Sequence, residues 1–288
     1  MNFAALGLRA LNKLGILKHI TFTGTMVLSG KRTKLPMVKG VGFAYVLDSG
    51  HFMEDLLRVL IPLFPGTFID VGVNIGQTLI KLRSAWPDVP YVGFEPNPVC
   101  VDYTERLIAA NGYRNASIIP AALTDEDGDG SLLLWQGDDP DDSTATLIKD
   151  FRAKSASEKE IPVRLVRWRS FEIRSNPAKL GVVKVDVEGG ELEVLVTMQA
   201  RINSDRPVVV VEVLPTYDPP KQVRSERQRG IERMAAACEL RIFRIHKGDR
   251  SISLEALTEF GISNDLKTAD HLLVPAERVS EVIAAFSA

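Results

Sequence analysis

Apolar and polar positions alternate in a regular way between residues 67 and 123. Three short apolar runs, TFIDV, YVGFE and ASIIPAAL, predict buried strands. Between them, the helical spacing of apolar residues predicts helices over 74–86 and 98–111. Strands that alternate with helices in this way are typical of parallel βαβ units. The pattern therefore predicts an α/β fold with an open, mostly parallel sheet and helices on both faces.

The same alternation continues towards the C-terminal end. GVVKVDV predicts a buried strand, and the β-branched run PVVVVEVL is typical of a strand covered on both faces. Helices are predicted over 190–198 and 224–238, and the four arginines of the second helix predict a solvated face. RIFRIHK and HLLVP predict two closing strands.

The first 48 residues follow a different pattern. An apolar start with Arg9, Lys13 and Lys18 predicts a helix, and 21–28 and 41–47 predict strands with a turn at 31–32. No Pro/Gly/Ser-rich linker follows, so we expect a helix and strand extension over 1–48 on a single domain over 49–288. We expect the first helix to pack on that domain, with weak association with a membrane surface as the alternative.

Composition and charge narrow the class of protein. The chain of 288 residues is 45% hydrophobic and carries a net charge of −2, which predicts no general attraction to nucleic acid. Its two cysteines form neither a CxxC pair nor a disulfide framework, so we expect a reduced, cytoplasmic location. No run of 18 apolar residues predicts a membrane span.

An acidic segment interrupts the alternation at 125–142. It contains eight aspartates and glutamates and no lysine or arginine. A solvated loop with one short strand is the simpler interpretation. A cover over a ligand pocket is the alternative, with the hydroxyls of 142–147 available to a ligand.

The first predicted strand of the domain ends in a glycine-rich turn. DVGVNIG contains Asp70, Gly72, Asn74 and Gly76, and Glu95 ends the next strand 23 residues after Gly72. Glycines let the backbone approach a ligand, and a carboxylate at this distance is where a ribose diol is held. Asn74 would crowd a pyrophosphate but suits an amino-acid moiety. The pattern therefore favours S-adenosylmethionine over NAD.

Five motifs in this order carry a family resemblance: FIDVGVNIG, VGFEPNP, AALTDEDG, KVDVEGGELEVL and VVVVEV. From about residue 50 to about residue 215 they resemble the FkbM-like family of S-adenosylmethionine-dependent methyltransferases. The resemblance implies the class I methyltransferase (Rossmann-like) fold and methylation of hydroxyls on sugars, glycolipids or natural products. It implies contacts with the methyl donor at Asp70, Gly72, Asn74, Gly76, Glu95, Pro96, Asn97, Ala121 and Ala122.

The acids of KVDVEGGELEVL are the candidate catalytic groups. Ligands bind at the carboxyl ends of strands where the strand order reverses, and the resemblance implies that Asp186 lies there beside Asp70. Asp186 and Glu188 are candidate bases for the acceptor hydroxyl, and crowding is expected to raise the pKa of one acid in the group. Glu191 fits a base or a helix-start residue equally, whereas Glu193 fits the positive end of the helix dipole.

Other candidates and rival functions stay open. His51 is an alternative base, Glu212 could line the acceptor side, and Mg²⁺ bound by the acids is an alternative that we do not favour. The expected partner is a small-molecule or glycan acceptor, and the sequence leaves a homo-oligomer open. The rival functions are a nicotinamide-dependent oxidoreductase and a non-catalytic nucleotide-binding domain.

Overall fold

The computed structural model describes residues 3–28, 30–47, 51–135, 141–149, 151, 158–217, 222–248 and 251–287. The predicted boundary between residues 48 and 49 lies outside these ranges and stays a prediction, and so do the positions of Asp138 and Asp139. Within them, every helix is too short or too polar to span a bilayer.

The helices and strands of the described residues follow the predicted alternation closely. The α-helices are α1 (Phe3–Lys13), α2 (Ala44–Leu47), α3 (Phe52–Leu63), α4 (Gln77–Ala85), α5 (Pro98–Asn111), α6 (Trp168–Ser175), α7 (Glu191–Asp205), α8 (Gln222–Ala237) and α9 (Val279–Ser287). The strands are β1 (Thr21–Leu28), β2 (Lys31–Val38), β3 (Thr67–Val71), β4 (Tyr91–Phe94), β5 (Ala116–Ile119), β6 (Ala122–Leu123), β7 (Gly128–Leu134), β8 (Lys159–Val166), β9 (Leu180–Val185), β10 (Val208–Glu212), β11 (Leu240–Lys247), β12 (Ile252–Leu257) and β13 (Asp270–Pro275).

The main sheet has the strand order β5-β4-β3-β9-β10-β13-β11-β12. The five strands from β5 to β10 are parallel, while β13 is antiparallel to both of its neighbours and β12 to β11. This arrangement confirms the predicted open, mostly parallel sheet of the class I, Rossmann-like type.

The strand order reverses beside β3. The chain runs from β3 outward to β4 and β5, and later returns to place β9 on the other side of β3. The amide of Asp186 donates to the carbonyl of Val71 at 3.0 Å, so the first residue after β9 lies against the end of β3. The predicted adjacency of DVGVNIG and KVDVEGGE is therefore confirmed.

Two apolar layers cover the middle of the sheet. Successive valines of β9 and β10 point to opposite faces, as the period of a strand requires. Val183, Val185, Val209 and Val211 pack with the α6–α7–α8 side, and the intervening valines pack with α3 and α9. Burial on both faces explains why these strands read as continuous apolar runs in the sequence.

The N-terminal extension is packed against α5. The Tyr103 hydroxyl on α5 donates to the carbonyl of Pro36 at 2.7 Å, and the Asn111 side chain exchanges two hydrogen bonds with the backbone of Lys34. The strand predicted over 41–47 is wrong, since α2 lies there. Gly40 and Gly42 have φ values of +97° and +96° and turn the chain before it can extend.

Two further boundaries differ from the sequence pattern for identifiable reasons. ASIIPAAL is split at Pro120, which has no amide to donate, into β5 and β6, and β6 joins a separate sheet of order β6-β8-β7. Helix α4 begins at Gln77 and not at Asn74, because Asn74 and Gly76 have left-handed φ values of +49° and +87°. The short strand predicted within the acidic segment is present as β7, which begins earlier than predicted, at Gly128.

Candidate active site

A cavity of ≈ 760 Å³ lies at the carboxyl ends of β3, β4 and β9. This volume lies within the range of small-molecule and cofactor sites. Eight of the residues predicted for the site line it: Gly72, Asn74, Glu95, Pro96, Asn97, Ala122, Asp186 and Glu188.

The five other predicted site residues do not line this cavity. Asp70 is fully buried below it, Gly76 precedes α4 and Ala121 is buried at the start of the second sheet. Glu191 is buried at the start of α7. His51 is exposed at the start of α3, so the structure does not support its proposed role as an alternative base at this cavity.

The loop after β3 is fixed by the backbone conformation and the hydrogen bonds of Asn74. Asn74 adopts a left-handed φ of +49°, a conformation that asparagine tolerates, and its amide donates to Glu95 Oε2 at 2.7 Å. Its side chain accepts from the amide of Ile75 at 2.8 Å and donates to the carbonyl of Asp141 at 3.3 Å. The Asn74 side chain therefore fixes the shape of the loop and links it to the cavity cover.

Glu95 joins the loops after β3 and β4. Its Oε2 accepts from Asn74 and its Oε1 accepts from the amide of Asn97 at 2.8 Å. Burial raises the pKa of Glu95 to about 7, although the two amide hydrogen bonds oppose that rise. Each carboxylate oxygen has one further acceptor position, so Glu95 can also accept from two ligand hydroxyls.

Lys184 is a site residue that the sequence reasoning missed. Its ammonium lies 3.2 Å from Asp70 Oδ1 and 3.3 Å from Asp186 Oδ2, and it donates to the carbonyl of Gly72 at 3.1 Å. Burial alone would lower its pKa, but the charges of Asp186 and Asp70 outweigh burial and raise it. The signal was a single lysine among the valines of β9.

Asp70 is buried below the cavity floor and contacts Tyr91 and Lys184 there. The Tyr91 hydroxyl donates to its Oδ2 at 2.8 Å, and Lys184 lies beside its other oxygen. Burial raises the pKa of Asp70, while Lys184 and Tyr91 oppose that rise. As the structure stands, Asp70 positions Lys184, and its predicted contact with a donor stays a prediction.

Three carboxylates meet where β9 and β10 end. Asp186, Glu188 and Glu212 each offer an oxygen within 4.8 Å of the others, an arrangement that could hold a cation. Burial would raise the pKa of Asp186, but Lys184 and a hydrogen bond with Glu212 hold it below its ordinary value. Burial, followed by the negative charge of Asp186, raises the pKa of Glu212.

The sequence predicts a raised pKa for one acid of the crowded group, and the structure shows which acids have one. The pKa of Asp186 is lowered, whereas burial and the charge of Asp186 raise the pKa of Glu212 to about 9, and the two carboxyl groups are hydrogen-bonded. Burial also raises the pKa of Glu191 to about 7. Because Glu191 Oε1 accepts from the amide of Gly189 at 2.8 Å, its position fits the helix-start role better than the catalytic one.

Two of the four arginines of α8, Arg224 and Arg227, do not lie on the solvated face that the sequence predicts, whereas Arg229 and Arg233 are exposed as predicted. Arg227 donates to the carbonyl of Gly189 at 2.5 Å and pairs with Glu193, which lines the cavity. Arg224 is buried, and its guanidinium lies 4.8 Å from the centre of the Phe151 ring. Helix α8 therefore supports the turn between β9 and α7.

The segment 141–149 covers one side of the cavity. Asp142, Ser143, Leu147 and Lys149 line it, together with Asp125 and Glu126 from the start of the acidic segment. The Asp142 carboxylate accepts from both the amide and the hydroxyl of Thr144, at 2.9 and 2.6 Å, and keeps the turn closed. Residues 141–149 thus fit the cover interpretation, whereas Asp125, Glu126, Asp127 and Asp129 are exposed, as a solvated loop requires.

Comparisons with known proteins agree with this geometry. The family model described as the methyltransferase FkbM domain matches residues 70–230, which is more than half of the chain. Methyltransferase sdnD of Sordaria araneosa is 26% identical over 151 residues, which cover 44% of this chain and 58% of that relative. The match therefore spans less than two thirds of the relative.

Solved structures give weaker similarities. The methyltransferase FkbM from Methylobacillus flagellatus KT has a TM-score of 0.44 at 12% identity and covers 73% of this chain and 43% of its own. A precorrin-6y C5,15-methyltransferase from Geobacter metallireducens GS-15 has a TM-score of 0.42 at 10% identity, over 79% of this chain and 91% of its own.

Proposed function

Because the chain belongs to the FkbM methyltransferase family, we propose that it transfers a methyl group from S-adenosylmethionine to a hydroxyl oxygen. One observation carries the proposal. A single cavity joins the Gly72–Glu95 loops on one side of the strand reversal to Asp186 on the other. A donor site and a carboxylate for the acceptor therefore share one space.

The residues present fit the donor. Glu95 has acceptor positions for the two ribose hydroxyls, and Asn74, Pro96, Asn97 and Ala122 line the same side of the cavity. Gly72 lies where the amino-acid portion would enter, at the carboxyl end of β3. Bound there, S-adenosylmethionine supplies a methyl group on a positively charged sulfur.

Asp186 is the group that we assign to the acceptor hydroxyl. Its side chain is 38% exposed, lines the cavity and is kept ionised by Lys184. The hydroxyl oxygen forms a bond to the methyl carbon as the carbon–sulfur bond breaks, and its proton passes to Asp186. The hydroxyl becomes strongly acidic as the new bond forms, so a carboxylate with a low pKa is a sufficient base.

Hydroxyl-rich molecules fit the acceptor side best. Asp186, Glu188 and Glu212 place several carboxylate oxygens together, and carboxylates are strong acceptors for hydroxyl donors. A sugar, a glycolipid or a hydroxylated natural product offers several such donors. The acceptor class is therefore proposed from the chemistry of this acidic cluster.

Calorimetry tests donor binding first, and a methyl-transfer assay then tests the reaction. We expect S-adenosylmethionine to bind in the micromolar range and NAD not to bind; binding of NAD alone would favour the oxidoreductase alternative. Labelled S-adenosylmethionine with a panel of sugar and natural-product hydroxyls should then yield a labelled ether. Donor binding without transfer to any acceptor would instead support the non-catalytic alternative.

A further inference from the structure

The N-terminal extension concentrates positive charge. Residues 1–47 contain seven of the chain's 35 lysines and arginines and none of its 37 acidic residues. The segment therefore carries +7, while residues 48–288 carry −9. A charge asymmetry of this size within one chain indicates an interaction with an anionic partner.

These charges are available at the surface. All seven basic side chains are exposed: Arg9, Lys13, Lys18, Lys31, Arg32, Lys34 and Lys39. Among the described residues, none of the seven forms an ion pair with a carboxylate. Their charges are therefore not neutralised within the described part of the protein.

Large apolar side chains are exposed between the same charges. Leu14 is 72% exposed and Ile16 is 39% exposed, at the turn between α1 and the short 3₁₀ helix Ile16–His19. Gly15 forms this turn with a φ of +71°. Arg9 and Lys13 lie four residues apart on α1, so they share one side of the helix. We name Arg9, Lys13, Leu14, Ile16 and Lys18 the basic turn.

The hairpin of the extension repeats the combination. Val27 is 61% exposed and faces Arg32 across the strands, and Thr25 faces Lys34 in the same way. Side chains of directly opposed residues share a face of the hairpin. The other face, including Met26 and Leu35, packs against α5. The hairpin of the extension is thus packed on the domain through α5.

We propose that the basic turn docks the protein on an anionic phospholipid surface. Apolar side chains flanked by lysines and arginines combine insertion into the interface with attraction to acidic headgroups. Residues 48–288 carry a net charge of −9 and are repelled by the same surface, so the extension is oriented towards the lipid. A nucleic acid would use the charges but offers no environment for Leu14 and Ile16, and the basic turn has no aromatic side chain to stack on a base.

Co-sedimentation of the full chain with vesicles tests this inference. Vesicles of phosphatidylcholine with phosphatidylglycerol should bind the protein, pure phosphatidylcholine vesicles should not, and high salt should release it. Lys13→Glu/Lys18→Glu should weaken binding at least about tenfold. Leu14→Ser, at an exposed position, should weaken it about tenfold without unfolding the protein, which circular dichroism checks.

A matched double variant separates local from general charge effects. Arg169→Glu/Arg241→Glu changes the net charge by the same amount at two exposed positions outside the extension and should leave binding unchanged. Equal losses in both double variants, or no binding to anionic vesicles, would overturn the inference. The inference would also be overturned if the protein bound a single-stranded oligonucleotide more tightly than anionic vesicles and if Leu14→Ser left that oligonucleotide binding unchanged. Vesicle binding is read without methyl transfer, so its failure and that of the proposed function are distinguishable.

Discussion

A β-carbon on Gly72 would lie 1.8 Å from the backbone oxygen of Asp186. Real β-carbons do not approach another atom so closely, so the two backbones can meet only because residue 72 is a glycine. The contact brings the donor side of the cavity against the residue that we assign to the acceptor. The glycine-rich motif is therefore needed for contact between two chain segments as well as for the approach of a ligand.

Gly72→Ala should destabilise the protein strongly. The new methyl group meets a backbone atom that cannot rotate away, and φ at this position is +84°. Gly112→Ala is the control. Gly112 also has a positive φ of +63°, but an added β-carbon there would meet no atom within 4 Å, so this substitution should lower the free energy of unfolding by only about 1–2 kcal/mol. Chemical denaturation should show a loss for Gly72→Ala clearly above that of the control. Equal losses would show that the contact with Asp186 is relaxed in solution.

Asp186→Asn should keep donor binding and lose turnover. The amide is similar in size but cannot take the hydroxyl proton, so kcat should fall by about 10²–10⁴-fold. Calorimetry with S-adenosylmethionine and a steady-state transfer assay measure the two effects separately. Asp102→Asn, on the exposed side of α5 and paired with Arg106, is the control. Full activity of Asp186→Asn would exclude it as the base.

Lys184→Met should lower the free energy of unfolding by about 3–5 kcal/mol, because it leaves the fully buried Asp70 without its cation. Asp70→Asn/Lys184→Met removes both charges and should recover part of this loss. Urea denaturation of the two single variants and the double variant completes the cycle. Additive losses would mean that Asp70 and Lys184 do not interact in the folded protein.

Donor affinity should depend on pH through Glu95. Its ionised form accepts ribose hydroxyls best, and its pKa is raised to about 7 by burial. The ionised fraction falls as pH drops through 7, so the Kd for S-adenosylmethionine should rise by about tenfold for each unit below that value. Glu95→Gln should bind more weakly with a flat profile. A wild-type Kd that stays constant between pH 5.5 and 8 contradicts this role.

Methyl transfer should not require a divalent cation. Burial and the negative charge of Asp186 raise the pKa of Glu212 to about 9, so a cation bound by Asp186, Glu188 and Glu212 at neutral pH would have to displace a proton from Glu212. Treatment with EDTA should therefore leave the rate unchanged, as should added Mg²⁺. Loss of activity with EDTA and recovery with Mg²⁺ would assign the three carboxylates to a metal site instead.

Local sequence signals were sufficient for much of the candidate site. Gly72, Asn74 and Glu95 were found because a ligand at the end of a parallel strand needs small residues and a carboxylate at fixed spacing. Lys184 was missed because its role depends on two carboxylates, one of them 114 positions away at Asp70. No periodicity in one chain segment shows which buried charge it will meet.

The sequence by itself determined the alternation of strands and helices, and its motifs indicated the family, whose resemblance implied the strand reversal beside β3. These features follow from apolar periodicity and short motifs, which are local properties of the chain. Only the tertiary structure decided which acid has the lower pKa, because the pKa values of Asp186 and Glu212 depend on burial and on charges brought together from β9 and β10. It also decided that residues 141–149 line one side of the cavity, since a segment is recognised as a cover only by what lies beneath it.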